Sequence, residues 1–180
     1  MTQNLAKTYY FKVVAMACLF FRSALIALFV CLVGADQLAA QSAKTWFVDS
    51  LVKVFPSATP NKSRLKVPEI WAARNQHASL QLAIRSGQPV SGITAEVEPL
   101  RAAGGAMIAA SVRPIGYVVV GTNTKDTPPD ELVGEAPGWY PDPLLDFPID
   151  LKANRTHALW VSVSVPADAA PGVYRGAVLV

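Results

Sequence analysis

Cysteine is almost absent. Cys18 and Cys31 are the only two, and both lie in the first 31 positions. The remainder therefore forms no disulfide and no thiolate metal site, and is held together by its core alone. Histidine is as scarce: His77 and His157 are far apart and in no metal-binding spacing. No Gly-x-Ser-x-Gly elbow surrounds Ser79, Ser162 or Ser164, so a serine nucleophile has no support. Gly104-Gly105 lacks the helix and lysine of a phosphate loop, and a hairpin turn explains it. Charged residues are only 16% of the chain against 52% hydrophobic, which excludes a disordered polypeptide. The formal charge of +3 comes largely from Lys7, Lys12 and Arg22. Beyond residue 43 acids and bases nearly balance, so the basic character is not a nucleic-acid footprint.

Those early cations open an export segment. Lys7 and Lys12 precede a long apolar run from Val13 to Val33, broken only by Arg22 and Ser23. Cleavage is expected after Ala35 or Ala40; an uncleaved membrane anchor is the alternative, since the run is long enough to cross a bilayer. Leu28-Phe29-Val30-Cys31 departs from a lipidation box through the bulk of Val30. The expected organisation is a helical signal segment or anchor over 1–43 and one domain over 44–180. The expected location is secreted, periplasmic or cell-surface, with membrane contact only through an uncleaved leader.

The second part alternates with period two. Leu80, Leu82 and Ile84 share one face, with Ser79, Gln81 and Arg85 on the other. Ile93, Ala95 and Val97 oppose Thr94, Glu96 and Glu98, and Val161, Val163 and Val165 oppose Ser162 and Ser164. One-sided alternation predicts antiparallel strands with one wet face. Turn signals at Ser86–Pro89, Gly104-Gly105 and Ala170–Gly172 separate the runs, and no long amphipathic helix follows residue 43. The predicted fold is all-β, an antiparallel two-sheet sandwich of immunoglobulin-like type. Gly121 to Pro148 breaks the rhythm. It holds six of the 14 prolines and is expected to be an irregular loop packed on something, such as a neighbouring domain. Gly172–Val180 reads as a strand running to the last residue, as if a longer protein continued.

Few residues are placed for chemistry. Asp130-Glu131 follows Pro128-Pro129 in the irregular segment, with no sign of the apolar pocket or neighbouring charge that a working acid needs, and reads as solvated loop charge. Trp139, Tyr140 and Asp142 combine flat rings with a polar neighbour. They suit either a sugar contact or an anchor for the loop. Trp71 and Trp160 lie in or beside strand patterns and are expected in the core. Arg74 and Asn75 could brace one domain against another, because the guanidinium offers several donors. Asn61-Lys62-Ser63 and Asn154-Arg155-Thr156 match the glycosylation sequon. No catalytic residue, metal ligand or cofactor site emerges.

Several stretches together resemble one family. They are Ala73-Arg74-Asn75-Gln76-His77-Ala78-Ser79-Leu80-Gln81-Leu82, Gly116-Tyr117-Val118 and Pro141-Asp142-Pro143-Leu144. The closing run Leu159–Asp168, with Pro171-Gly172-Val173-Tyr174-Arg175-Gly176, completes them. From about residue 46 to the end the chain is similar to the N-terminal sandwich domain of glycoside hydrolase family 123 and the related uncharacterised family 4091. The usual motif has Glu where Gln76 stands. The resemblance implies a larger protein in which a (β/α)-barrel follows and hydrolyses β-linked N-acetylgalactosamine. There the substrate's own acetamido group is the nucleophile, served by an adjacent Asp-Glu pair on the barrel. These 180 residues contain no such barrel, so the pair has no counterpart in them. The resemblance implies a non-catalytic accessory domain whose partner is the protein's own C-terminal catalytic domain, on N-acetylhexosamine-containing glycans. The alternative is a stand-alone carbohydrate-binding or cell-surface structural module.

Overall fold

A computed structural model describes residues 43–60 and 68–180. The expected signal segment or anchor with both cysteines, and the Asn61 sequon, lie outside the described residues.

The alternating runs form strands because β-branched and leucine side chains on one face can pack while the polar set on the other stays bonded. In chain order these are β1 (Lys44–Asp49), β2 (His77–Arg85), β3 (Val90–Ile93), β4 (Glu96–Val97), β5 (Leu100–Ala102), β6 (Met107–Val120), β7 (Gly138–Leu144), β8 (Ile149–Leu151), β9 (Thr156–Ser164), β10 (Tyr174–Arg175) and β11 (Val178–Leu179). All pairings are antiparallel. The fold is all-β, as the alternation predicts. The main sheet runs β1-β2-β9-β6-β5-β10, with β7 also on β6. The opposing layer is two short ribbons, β3 with β8 and β4 with β11.

Both faces of the main sheet are covered. On one face Leu82, Ile84 and Leu159 are buried with Leu151, and Ile93, Ile149, Phe147 and Val178 from the ribbon side pack against them. On the other face one row crosses four strands: Trp46 lies opposite Ala83, Ala83 opposite Ala158, and Ala158 opposite Ile115. The two alanines are fully buried, and their small side chains leave room for the Trp46 ring and for Val54.

That second face corrects the expectation of a wet side. Gln81 is buried, and its amide donates to the carbonyls of Asp49 at 2.9 Å and Val52 at 2.7 Å. Arg85 reaches the carbonyls of Pro56 and Ala58. Thr156 donates its amide to Pro56 and its hydroxyl to Ala58. The polar face of β2 is thus a clasp for the segment 50–60, which lies across it as a lid of chain. A buried carbonyl needs a donor, and these side chains supply it.

The stretch from Gly121 to Pro148 is likewise not all loop. Its second half contains β7, which pairs with β6 from Ile115↔Leu144 to Val120↔Gly138 with a register shift between. β7 carries Pro141 and Pro143, which an edge strand tolerates because one row of its backbone amides has no ladder partner. The two prolines hid this strand from the alternation pattern.

Candidate functional site

Lys152, Ala153, Asn154 and Arg155 join β8 to β9 in a tight turn. Asn154 takes a left-handed conformation at φ 57°, which asparagine accepts more readily than most residues. Its amide donates to the Ser86 carbonyl at 2.8 Å, and the Arg155 amide donates to Lys152. The Lys152 amide donates to His157 Nε2 at 3.1 Å, so the neutral ring carries its proton on Nδ1. The turn is therefore pinned at its middle and at both ends.

This turn forms one wall of a solvent-open cleft of about 120 Å³. Tyr117 from β6, Trp139 from β7 and Thr156 and His157 from β9 line it together with Lys152, Arg155 and Pro56. Tyr117 is committed to structure: its hydroxyl donates to the carbonyls of Val54 at 3.0 Å and Thr156 at 3.3 Å. Burial pushes its pKa from 10.0 up to about 12, partly opposed by the Arg155 charge. Trp139 is half-exposed, and the Arg155 guanidinium sits 5.8 Å from its ring centroid, within cation–π range. No carboxylate lines the cleft, and neither Lys152 nor Arg155 makes an ion pair among the described residues. Burial lowers the His157 pKa below 6.5, and the charges of Arg155 and Lys152 lower it further. The cleft is electropositive and keeps its imidazole neutral.

The residues marked in the sequence are distributed as follows. Trp139 lines the cleft, whereas Tyr140 packs edge-on against Phe55 with ring centroids 5.3 Å apart. Asp142 is exposed on β7 and is not among the residues lining the cleft, so the three do not form one platform. Arg74 donates to the Ala169 carbonyl at 2.7 Å, and Asn75 adopts φ 57°. Together they fold the entry to β2 against the loop after β9. Gln76 accepts the Ala73 amide at 2.7 Å, and its carbonyl accepts the Val165 amide. An acceptor oxygen is what the position uses, and glutamine and glutamate both provide one.

Trp160 is half-buried beside the Trp46 cluster. Trp71 is the correction: it is 86% exposed. It precedes the turn at Arg74-Asn75 and belongs to no strand, so no pleat carries it into the core. Asp130 and Glu131 lie exposed on a 3-10 turn. His77 Nδ1 and Ser164 Oγ are 3.0 Å apart at a cross-strand pair on the surface. In the sequon at Asn154 the Thr156 hydroxyl is buried and donates to Ala58. Nothing in the sequence groups Lys152, Arg155 and His157 with Trp139, because they meet it only through the pairing of β6 with both β7 and β9.

Residues 47–180 match the family described as the glycoside hydrolase 123 N-terminal domain. Among solved structures the chain is similar to a family 123 glycoside hydrolase from Clostridium perfringens, whose structural analysis concerned glycolipid glycan hydrolysis. The TM-score is 0.53 at 13% identity, over 77% of this chain and 24% of that one. The chain thus spans about a quarter of that enzyme. No curated protein matches in sequence.

Proposed function

Because the chain belongs to the glycoside hydrolase 123 N-terminal domain family, we propose that it is the non-catalytic accessory domain of an exported glycoside hydrolase. The carrying observation is the extent of the family match, which takes in the whole of the described sandwich from β2 to β11 and the second half of β1. In this reading a (β/α)-barrel in the same protein performs hydrolysis on N-acetylhexosamine-containing glycans, and the sandwich supports it. The apolar leader, with Lys7 and Lys12 ahead of it, supports export. The described residues hold no group of three His, Cys, Asp or Glu side chains placed for a metal. Asp130 and Glu131, exposed on their turn, lack the apolar pocket a general acid needs.

The supporting role is tested by deleting residues 44–180 from the whole gene product. The expected result is a lower thermal midpoint and lower soluble yield, with kcat of the folded remainder changed by no more than a few fold. A deleted protein as stable and soluble as the whole would contradict the role.

A further inference from the structure

Lys152 and Arg155 are cations held on a pinned turn without an acidic partner among the described residues, next to a half-exposed tryptophan. Unpaired cations of this kind normally spread into solvent. Here the cation–π contact holds the Arg155 guanidinium beside Trp139, and the hydrogen bonds of the turn fix the backbone carrying both charges. Tyr117 and Thr156 spend their hydroxyls on main-chain carbonyls, so the donors left to a ligand are the two cations and the His157 ring. At about 120 Å³ the space is small beside pockets that enclose a drug-sized ligand, and suits a single small unit lying partly in solvent. The flat indole offers a surface for ring C–H groups, and the two cations offer charge-assisted bonds to an oxyanion.

We propose that this cleft binds one saccharide unit bearing a carboxylate or sulfate. The oxyanion lies between Arg155 and Lys152, and the sugar ring rests against Trp139. An acidic peptide side chain would use the cations but place no ring against the solvent-exposed part of the Trp139 indole, which is why a ring-bearing anion fits better. The cleft is built from this domain alone. Loss of catalysis in the longer protein would leave it standing, and failure here would leave the supporting role standing.

The test is titration of the isotope-labelled protein with glucuronate, glucose 6-sulfate, glucose, inorganic sulfate and a short glutamate-containing peptide. The readout is the Trp139 indole resonance, identified by its loss in Trp139→Phe. Glucuronate or glucose 6-sulfate is expected to shift it saturably, glucose much less, and Arg155→Gln is expected to weaken the effect about tenfold or more while the strand resonances stay in place. Lys152→Gln is expected to weaken it less. No shift with either acidic sugar would overturn the proposal. So would equal binding of glucose, of sulfate alone or of the peptide, or an affinity unchanged in Arg155→Gln.

Discussion

Gln81 lies on the face of β2 that alternation marks as polar, yet it is 2% exposed. Its amide holds the carbonyls of Asp49, at the end of β1, and of Val52 in the covering segment, so Gln81→Leu should leave those acceptors unmet and cost about 1–3 kcal/mol, read as a drop in thermal midpoint. Tyr117 does the same for Val54 and Thr156. Its raised pKa means that one tyrosine should ionise late, near 12, in ultraviolet titration of the folded protein, and Tyr117→Phe should remove that step. The sign follows: the folded state favours the neutral phenol, so this stabilisation is intact below the unfolded value near 10 and disappears as pH rises through 12. His157 has the opposite sign of shift. The folded state binds its proton less readily than the unfolded chain, so stability holds above pH 6.5 and falls as pH drops below it, through the lowered value. Urea midpoints on the acid side of 6.5 should decline less for His157→Gln, which keeps an acceptor for the Lys152 amide.

At the scale of elements, what was legible and what was not divides by distance along the chain. β2 and β9 stand out because their alternation is local and unbroken, and their register places Leu82 opposite Leu159 as the pattern implies. The clasp of segment 50–60 leaves no periodic trace, because each of its bonds joins residues about thirty or more positions apart. β7 was hidden by its prolines, and its bulge against β6 depends on Gly116. A Cβ there would lie 2.9 Å from Pro143 Cγ and 3.0 Å from Leu145 Cδ1. Gly116→Ala should therefore push β7 off β6 and destabilise by about 1–3 kcal/mol, measured by denaturant unfolding. Ala158 poses the same test in the core: Ala158→Leu should overfill the row beneath Trp46 at a comparable cost.

For the whole molecule, fold class and family were legible, because each rests on runs of neighbouring residues. The cleft was not, because Tyr117, Trp139 and the turn 152–157 come together only once β6 holds β7 and β9. Trp71 shows the reverse error: position beside a strand pattern does not bury a side chain that no strand carries. The accessory reading makes one demand above all others, that hydrolysis belongs to the longer protein and not to this sandwich. It is tested most directly by assaying an aryl β-N-acetylgalactosaminide with residues 44–180 alone and with the whole gene product, side by side. Turnover by the whole protein and none above background by the sandwich is the predicted result. Turnover by the sandwich alone would contradict it, whether or not that turnover survives Asp130→Ala and Glu131→Ala.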